Sequence, residues 1–274
     1  MRGRRGRVVR PVALLLGLCL AAGMIVAGMV FPAALAFGLV SDEASDSVNS
    51  VSTDLASGQL PQTSTITDSA GNPIAYLFDQ NRDPVPVDRI SPAMKAAIVA
   101  IEDRRFYQHH GVDWQGTIRA VVANSASGDV VQGASTLTQQ YVKNYLLYVE
   151  AHTEAERLKA TEQTPARKLR EARIALQMER SLSKEDILAR YLNIVFWGNG
   201  AYGAYGVSAA ARTYFTTSAD QLTVAQSALL AGMVRSTAQF DPVTHPEAAL
   251  QRRNVVIQQT PRRSTSTGTG GRSR

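Results

Sequence analysis

Glu102-Asp103-Arg104-Arg105-Phe106-Tyr107-Gln108-His109-His110-Gly111 is the stretch on which the reading of this chain turns. Just upstream, Ser91 and Pro92 make a helix start, a hydroxyl N-cap followed by proline at the first helical position. Met94, Ile98, Ile101 and Arg105 then recur at helical spacing, which puts Glu102 at the edge of an apolar stripe. Beside Ile98-Val99-Ala100-Ile101 its carboxyl would be desolvated and shifted toward the range useful to a general base. The competing reading is a surface glutamate paired with Arg105, three residues along. His109 offers a second acid-base group, although a lone histidine is more often structural.

Working downstream, Trp114 to Ala126 reads as a second helix and Thr136 to Val149 as a third. Gly133-Ala134-Ser135-Thr136-Leu137-Thr138-Gln139-Gln140 opens that third helix with residues that favour caps. Lys143 and Asn144 follow Gln139 and Gln140 at helical spacing, lining up amides and an ammonium on one side. A plain N-capped helix with a solvated face is the alternative. Glu150 to Pro165 is highly charged and reads as an exposed insertion. Ala166 to Ser181 is amphipathic, with Leu169, Ala172, Leu176 and Met178 along or near one face. Its first turns carry Arg167, Lys168 and Glu171 on a shared face. Such a pattern usually is a surface salt-bridge ladder. Two cations around a carboxylate also suit a diphosphate and its divalent ion. Two carboxylates in contrasting surroundings, one apolar and one basic, suggest separate roles.

Further helices are expected at Ser183 to Asn193, Val207 to Tyr214, Thr223 to Val234 and Pro246 to Gln259, with a glycine-rich loop from Gly198 to Gly206. Upstream of the helices, Ile66-Thr67-Asp68 and Ile74-Ala75-Tyr76-Leu77 flank the turn signal Ala70-Gly71-Asn72-Pro73 and read as a hairpin. The expected class is therefore mainly α with a small N-terminal β hairpin.

The formal charge is +6, but 11 of the 29 basic residues lie in the two tails. The part between carries 18 basic against 23 acidic residues, which argues against a nucleic-acid-binding core. A single cysteine, Cys19, permits no disulfide framework within the chain. Pro11 to Val40 contains no charged residue, enough to span a bilayer with some tilt. Arg2, Arg4, Arg5, Arg7 and Arg10 before it predict a cytoplasmic N-terminus and an exported remainder, so a single-pass cell-membrane protein. A signal peptide cleaved after Ala34-Leu35-Ala36 is the alternative. The expected organisation is a basic tail at 1–10, an anchor at 11–40, a juxtamembrane stalk or solvated helix at 41–62, a catalytic domain at 63–259 and a disordered tail at 260–274.

Five motifs stand in order: Glu102-Asp103-x-x-Phe106-x-x-His109-x-Gly111, Gly133-x-Ser135-Thr136-x-Thr138-Gln139-Gln140, Arg167-Lys168-x-x-Glu171, Tyr191-Leu192-Asn193 and Arg252-Arg253-Asn254-Val255-Val256. Together they resemble the peptidoglycan glycosyltransferase family. That family includes the glycosyltransferase half of class A penicillin-binding proteins and the monofunctional transglycosylases. The resemblance implies a lysozyme-like fold with a head and a smaller membrane-associated jaw. It implies polymerisation of lipid II into glycan strands, with inversion and loss of undecaprenyl diphosphate. Glu102 would be the base and Glu171 the second glutamate, aiding the diphosphate directly or through a divalent ion (Mg or Mn) that is not required as a cofactor. Arg167, Lys168 and Lys143 would bind the donor diphosphate. Ser135, Thr136, Gln140 and Asn144 would contact sugar or diphosphate, while Phe106 and His109 shape the site. Arg235 stands where many members have lysine. Partners implied are lipid II, the growing strand, the membrane and other cell-wall synthesis proteins. Ala134 replaces a common glycine, and 150–165 lengthens the separation of the glutamates. No penicillin-binding serine motif is present, which reads as a monofunctional enzyme or a shortened bifunctional one. A lysozyme-type glycan-cleaving enzyme and a non-catalytic scaffold are the other readings.

Overall fold

A computed structural model describes residues 55, 60–127, 133, 135–198 and 203–261. The anchor expected at 11–40 and the tail beyond 261 lie outside the described residues. No helix among the described residues is long and apolar enough to cross a membrane.

β1 (Ser64–Thr67) and β2 (Pro73–Leu77) form an antiparallel hairpin with Thr65 opposite Tyr76. The Asp68 carboxylate closes its turn by accepting from the Ala70 and Asn72 backbone N–H groups at 2.9 and 2.8 Å. Nine α-helices follow among the described residues: α1 (Pro92–Glu102), α2 (Trp114–Ser127), α3 (Leu137–Tyr145), α4 (Glu154–Thr161), α5 (Pro165–Ser181), α6 (Lys184–Ile194), α7 (Val207–Phe215), α8 (Val224–Met233) and α9 (Pro246–Gln259). A π-helical turn, Leu146–Glu150, continues α3.

The starts of α1, α3 and α6 carry the caps that their sequences predict. Ser91 caps α1, and its hydroxyl also donates to the Leu222 carbonyl at 2.8 Å, tying α1 to the loop before α8. Thr136 and Gln139 form a reciprocal capping box at α3. The 150–165 segment is largely exposed, as expected, and folds in part as a helix. Thr153 and Glu156 make a second capping box there, and α4 forms with its residues exposed. With Leu158 as its one large apolar residue, itself exposed, the segment shows no apolar stripe that would announce a helix.

Two sets of helices build the core. α8 packs on α1 and α9, while α3 packs on α5 and α6. In α1, Met94, Ala97, Ile98 and Ala100 are buried. Small residues on α8, Ala228, Ala231 and Gly232, let its neighbours approach; a Cβ on Gly232 would lie 2.9 Å from Cγ of Arg252 on α9. Trp197 is fully buried and donates to the Leu230 carbonyl at 2.9 Å. On α5 the buried face is Glu171, Ile174, Ala175 and Met178 rather than one led by Leu169, Ala172 and Leu176, which are only half-buried. The second glutamate therefore lies on the core side of its helix. Gly111 has φ +81° and its Cβ would sit 2.8 Å from the Ala175 backbone, so the first motif ends where it crosses α5.

Two further expectations change. Arg105 does not extend the α1 stripe, because the helix ends at Glu102; it pairs with Asp113 instead. The 41–62 stalk is not solvated throughout, since Leu55 is 0% exposed.

Candidate active site

Glu102 closes α1 where the two helix sets meet, half-buried at the end of the apolar run. Its Oε2 accepts from Nε2 of Gln140 on α3 at 3.0 Å. Gln140 Oε1 in turn accepts from the hydroxyl of Tyr191 on α6 at 3.0 Å. The surface pairing of Glu102 with Arg105 is thus replaced by a relay of three side chains from three helices. Burial pushes the Glu102 carboxyl above the ordinary glutamate range. The Gln140 hydrogen bond and the charges of Arg252 and Arg235 pull it part of the way back, while Asp103 adds to the rise. The fully buried Tyr191 phenol is raised well above its usual value, first by burial and then by the Glu102 charge.

Asp103, one residue on, has a different task. It is buried, accepts from the Leu137 backbone N–H at 3.0 Å, and holds His109 Nε2 at 2.9 and 3.1 Å. A carboxylate at the first turn of α3 suits the positive end of that helix. The Thr136 hydroxyl donates to the Gly111 carbonyl at 2.6 Å and accepts the Gln139 N–H as cap. Phe106 is fully buried beneath the Lys184 ammonium, 4.4 Å from its ring centre. Thr136, Phe106 and His109 therefore stand in this structure as buried supports of the first two motifs. A cavity of about 490 Å³ lies beyond His109, lined by Arg105, His110 and Trp114 among others, and reaches neither glutamate.

The second cluster gathers around Glu171, which is 1% exposed. Arg167 is hydrogen-bonded to its Oε1, and Lys168 Nζ lies 3.7 Å from Oε2. Lys168 also donates to the Ser135 hydroxyl at 2.8 Å, joining the second and third motifs. The Lys143 ammonium is pushed below its usual range by burial first and by the neighbouring Arg167 and Lys168, with Glu171 opposing. Gln140 and Lys143 are three residues apart on α3, hence on one face. One helix thus carries both the amide that holds Glu102 and the cation that faces Glu171. Asn144 is half-buried next to Lys143.

From the other helix set, Arg235 after α8 and Arg252 on α9 bring positive charge to Glu102. The Arg252 Nε donates to the Gly232 carbonyl at 3.4 Å, which fixes the stem. The sequence places Arg252 and Tyr191 within motifs but assigns neither a task. Tyr191 was findable, since it lies on the buried stripe of α6 while carrying a hydroxyl that needs a partner. Asn193 of the same motif brackets Val85, accepting from its N–H at 3.0 Å and donating to its carbonyl at 2.7 Å.

As a metal ligand, Glu171 does not fit. Its oxygens face Arg167 and Lys168, whereas a hard dication needs several oxygen donors. Among the described residues no group of three or more His, Cys, Asp or Glu could hold a metal ion.

A desolvated carboxylate beside a packed cluster of cations is an arrangement for taking a proton from a hydroxyl while an anionic group departs. The profile of the transglycosylase family matches residues 70–261, and the chain belongs to that family, the peptidoglycan glycosyltransferases. Penicillin-binding protein 1A of Escherichia coli strain K12 is 39% identical over 210 residues, 73% of this chain and 23% of that protein. Penicillin-binding protein 1A of Mycobacterium tuberculosis is 41% identical over 198 residues, 72% of this chain and 23% of that protein. A Cupriavidus necator protein, named provisionally as a transglycosylase, is 38% identical over 203 residues, 74% of this chain and 77% of that one. The chain spans about a quarter of the length of the penicillin-binding proteins it matches. A crystal structure of penicillin-binding protein 1A from Haemophilus influenzae superposes with a TM-score of 0.38 at 22% identity, covering 74% of this chain and 18% of that one.

Proposed function

We propose that this chain polymerises lipid II into β-1,4 glycan strands at the outer face of the cell membrane, with inversion at the donor sugar. The observation that carries this reading is the half-buried Glu102 held by Gln140, one helical turn along α3 from Lys143 and the Arg167–Lys168–Glu171 cluster. Glu102 takes the proton from the 4-hydroxyl of the acceptor GlcNAc. With Oε2 held by Gln140, Oε1 is the atom assigned to that proton. The freed oxygen attacks C1 of the donor MurNAc on the face opposite the diphosphate. The C1–O bond breaks, undecaprenyl diphosphate leaves with the electron pair, and the proton passes from Glu102 to water. Lys143, Arg167 and Lys168 neutralise the diphosphate as its charge grows, with Ser135, Asn144 and Arg235 as further substrate contacts. Glu171 keeps Arg167 and Lys168 in place for this. A glycan hydrolase would leave those cations without a task, which disfavours the lysozyme-type reading.

The exposed stripe of Trp114, Ile118 and Val122 on α2, 62–66% exposed, supports placing this helix on the membrane-facing jaw of a head-and-jaw fold. The uncharged 11–40 stretch is read as the anchor.

Glu102→Gln keeps shape and removes the base. Polymer formation from purified lipid II should fall about 10²- to 10⁴-fold, the usual worth of a general base, with lipid II binding retained. Normal polymerisation by this variant would sink the assignment.

A further inference from the structure

Leu55 lies upstream of the matched domain, in a stretch whose composition reads as a solvated stalk, yet it is completely buried. Its backbone carbonyl accepts two hydrogen bonds, from the Tyr141 hydroxyl at 3.4 Å and from Arg190 Nη1 at 3.1 Å. Arg190 also hydrogen-bonds the Tyr141 side chain, so the three groups close a triangle. The positions of the two donors matter. Tyr141 follows Gln140 on α3, and Arg190 precedes Tyr191 on α6. The same two helices are also cross-linked by the Tyr191–Gln140 hydrogen bond that holds Glu102. A second grip lies six residues on, where the Pro61 carbonyl accepts from Nη1 of fully buried Arg82 at 3.4 Å.

We propose that Tyr141 and Arg190 are positioning residues: by clasping the Leu55 carbonyl they set the spacing of α3 and α6, and hence of Gln140 and Tyr191 around Glu102. The proposal rests on the glycosyltransferase reading above. It makes the segment that leads out of the anchor part of the active-site framework rather than a tether. Neither residue touches the substrate, so their effect is on how well the base is held. A hydrogen bond of ordinary worth, about 1 kcal/mol, corresponds to roughly fivefold in rate.

The test uses the full chain in detergent with purified lipid II. Tyr141→Phe and Arg190→Met should each lower kcat about 5- to 10-fold while KM stays within about twofold. Arg190→Lys, which keeps a cationic donor, should recover most of the rate. Leu55→Ala, which loosens the segment from its seat, should give the same kcat-selective loss. Combined with Tyr141→Phe it should cost no more than the larger single change, as expected for one shared link. Unchanged kcat in the folded variants, equal changes in kcat and KM, or losses that multiply would overturn the clasp. Failure of the wild-type chain to make polymer would instead overturn the functional reading beneath it.

Discussion

Tyr191→Phe isolates the innermost link of the Glu102 relay. The ring is fully buried on α6 and phenylalanine has the same outline, so packing is preserved and only the hydroxyl is lost. Gln140 Oε1 then loses its donor in a part-buried site, so the cost of a fully buried acceptor is the upper bound. An abandoned buried acceptor costs about 1–3 kcal/mol. For a folded unit of about 200 residues each kcal/mol moves the thermal midpoint by roughly 2–4 °C, so a fall of roughly 2–12 °C is expected. The chemical effect has its own bound. Without its anchor the Gln140 amide can rotate away from Glu102, and the most that can be lost is the bond it donates to the carboxylate. A hydrogen bond to a charged group is worth about 1.5–3 kcal/mol, so kcat should fall no more than about 10- to 150-fold. Calorimetry and lipid II polymerisation on the same preparation read both numbers. A variant with wild-type midpoint and wild-type kcat would show that the relay holds nothing, and a kcat loss beyond 10³-fold would show that Tyr191 acts on the reaction directly.

Three other outcomes follow from the same geometry. A carboxyl whose pKa is raised by folding is ionised at lower pH in the unfolded chain. Its cost to the fold is therefore absent below the ordinary glutamate range, grows as pH rises, and is complete above the folded value. Glu102→Gln should accordingly have a higher thermal midpoint than wild type at neutral pH, with the gain vanishing near about pH 3.5; an equal gain at both would refute the burial argument. Arg252→Ala removes a cation that helps Glu102 ionise, so the acid limb of the kcat/KM profile should move to higher pH, and Arg252→Lys should restore it. Arg167→Ala strands the buried Glu171 and should cost about 3–5 kcal/mol in urea unfolding, whereas half-exposed Lys168→Ala should cost under about 1 kcal/mol in stability and show mainly as a lowered kcat.

Much of the architecture was legible because it is written locally. The starts of α1, α3 and α6 announce themselves through Ser91, Thr136 and Ser183, each with a side-chain bond to a first-turn N–H. Arg167, Lys168 and Glu171 also form the cluster that their spacing implies. What spacing does not carry is the choice of partner across the fold. Arg105 stands three residues from Glu102, yet the α1 helix ends between them and the nearest donor comes from Gln140, 38 residues on. Leu55 illustrates the limit more sharply. Val48, Val51 and Leu55 are sparse apolar residues amid Ser, Asp and Ala, too weak a stripe to announce burial, and the donors to the Leu55 carbonyl lie 86 and 135 residues away.

The boundary at the end of α1 falls between two acidic neighbours with unrelated duties. Glu102 is the last residue of the helix; Asp103, outside it, is committed to the start of α3 and to His109. One peptide bond separates the proposed base from the group that keeps two elements in register. On the proposed function, a descendant that lost Glu102 alone would keep its shape and its hold on the lipid-linked sugar, while one that lost Asp103 would lose the tie between α3 and His109. An inactive decoy that sequesters the precursor is a single nucleotide change away, since a glutamate codon becomes a glutamine codon by one substitution. Inheritance of this fold cannot by itself be taken as inheritance of its reaction.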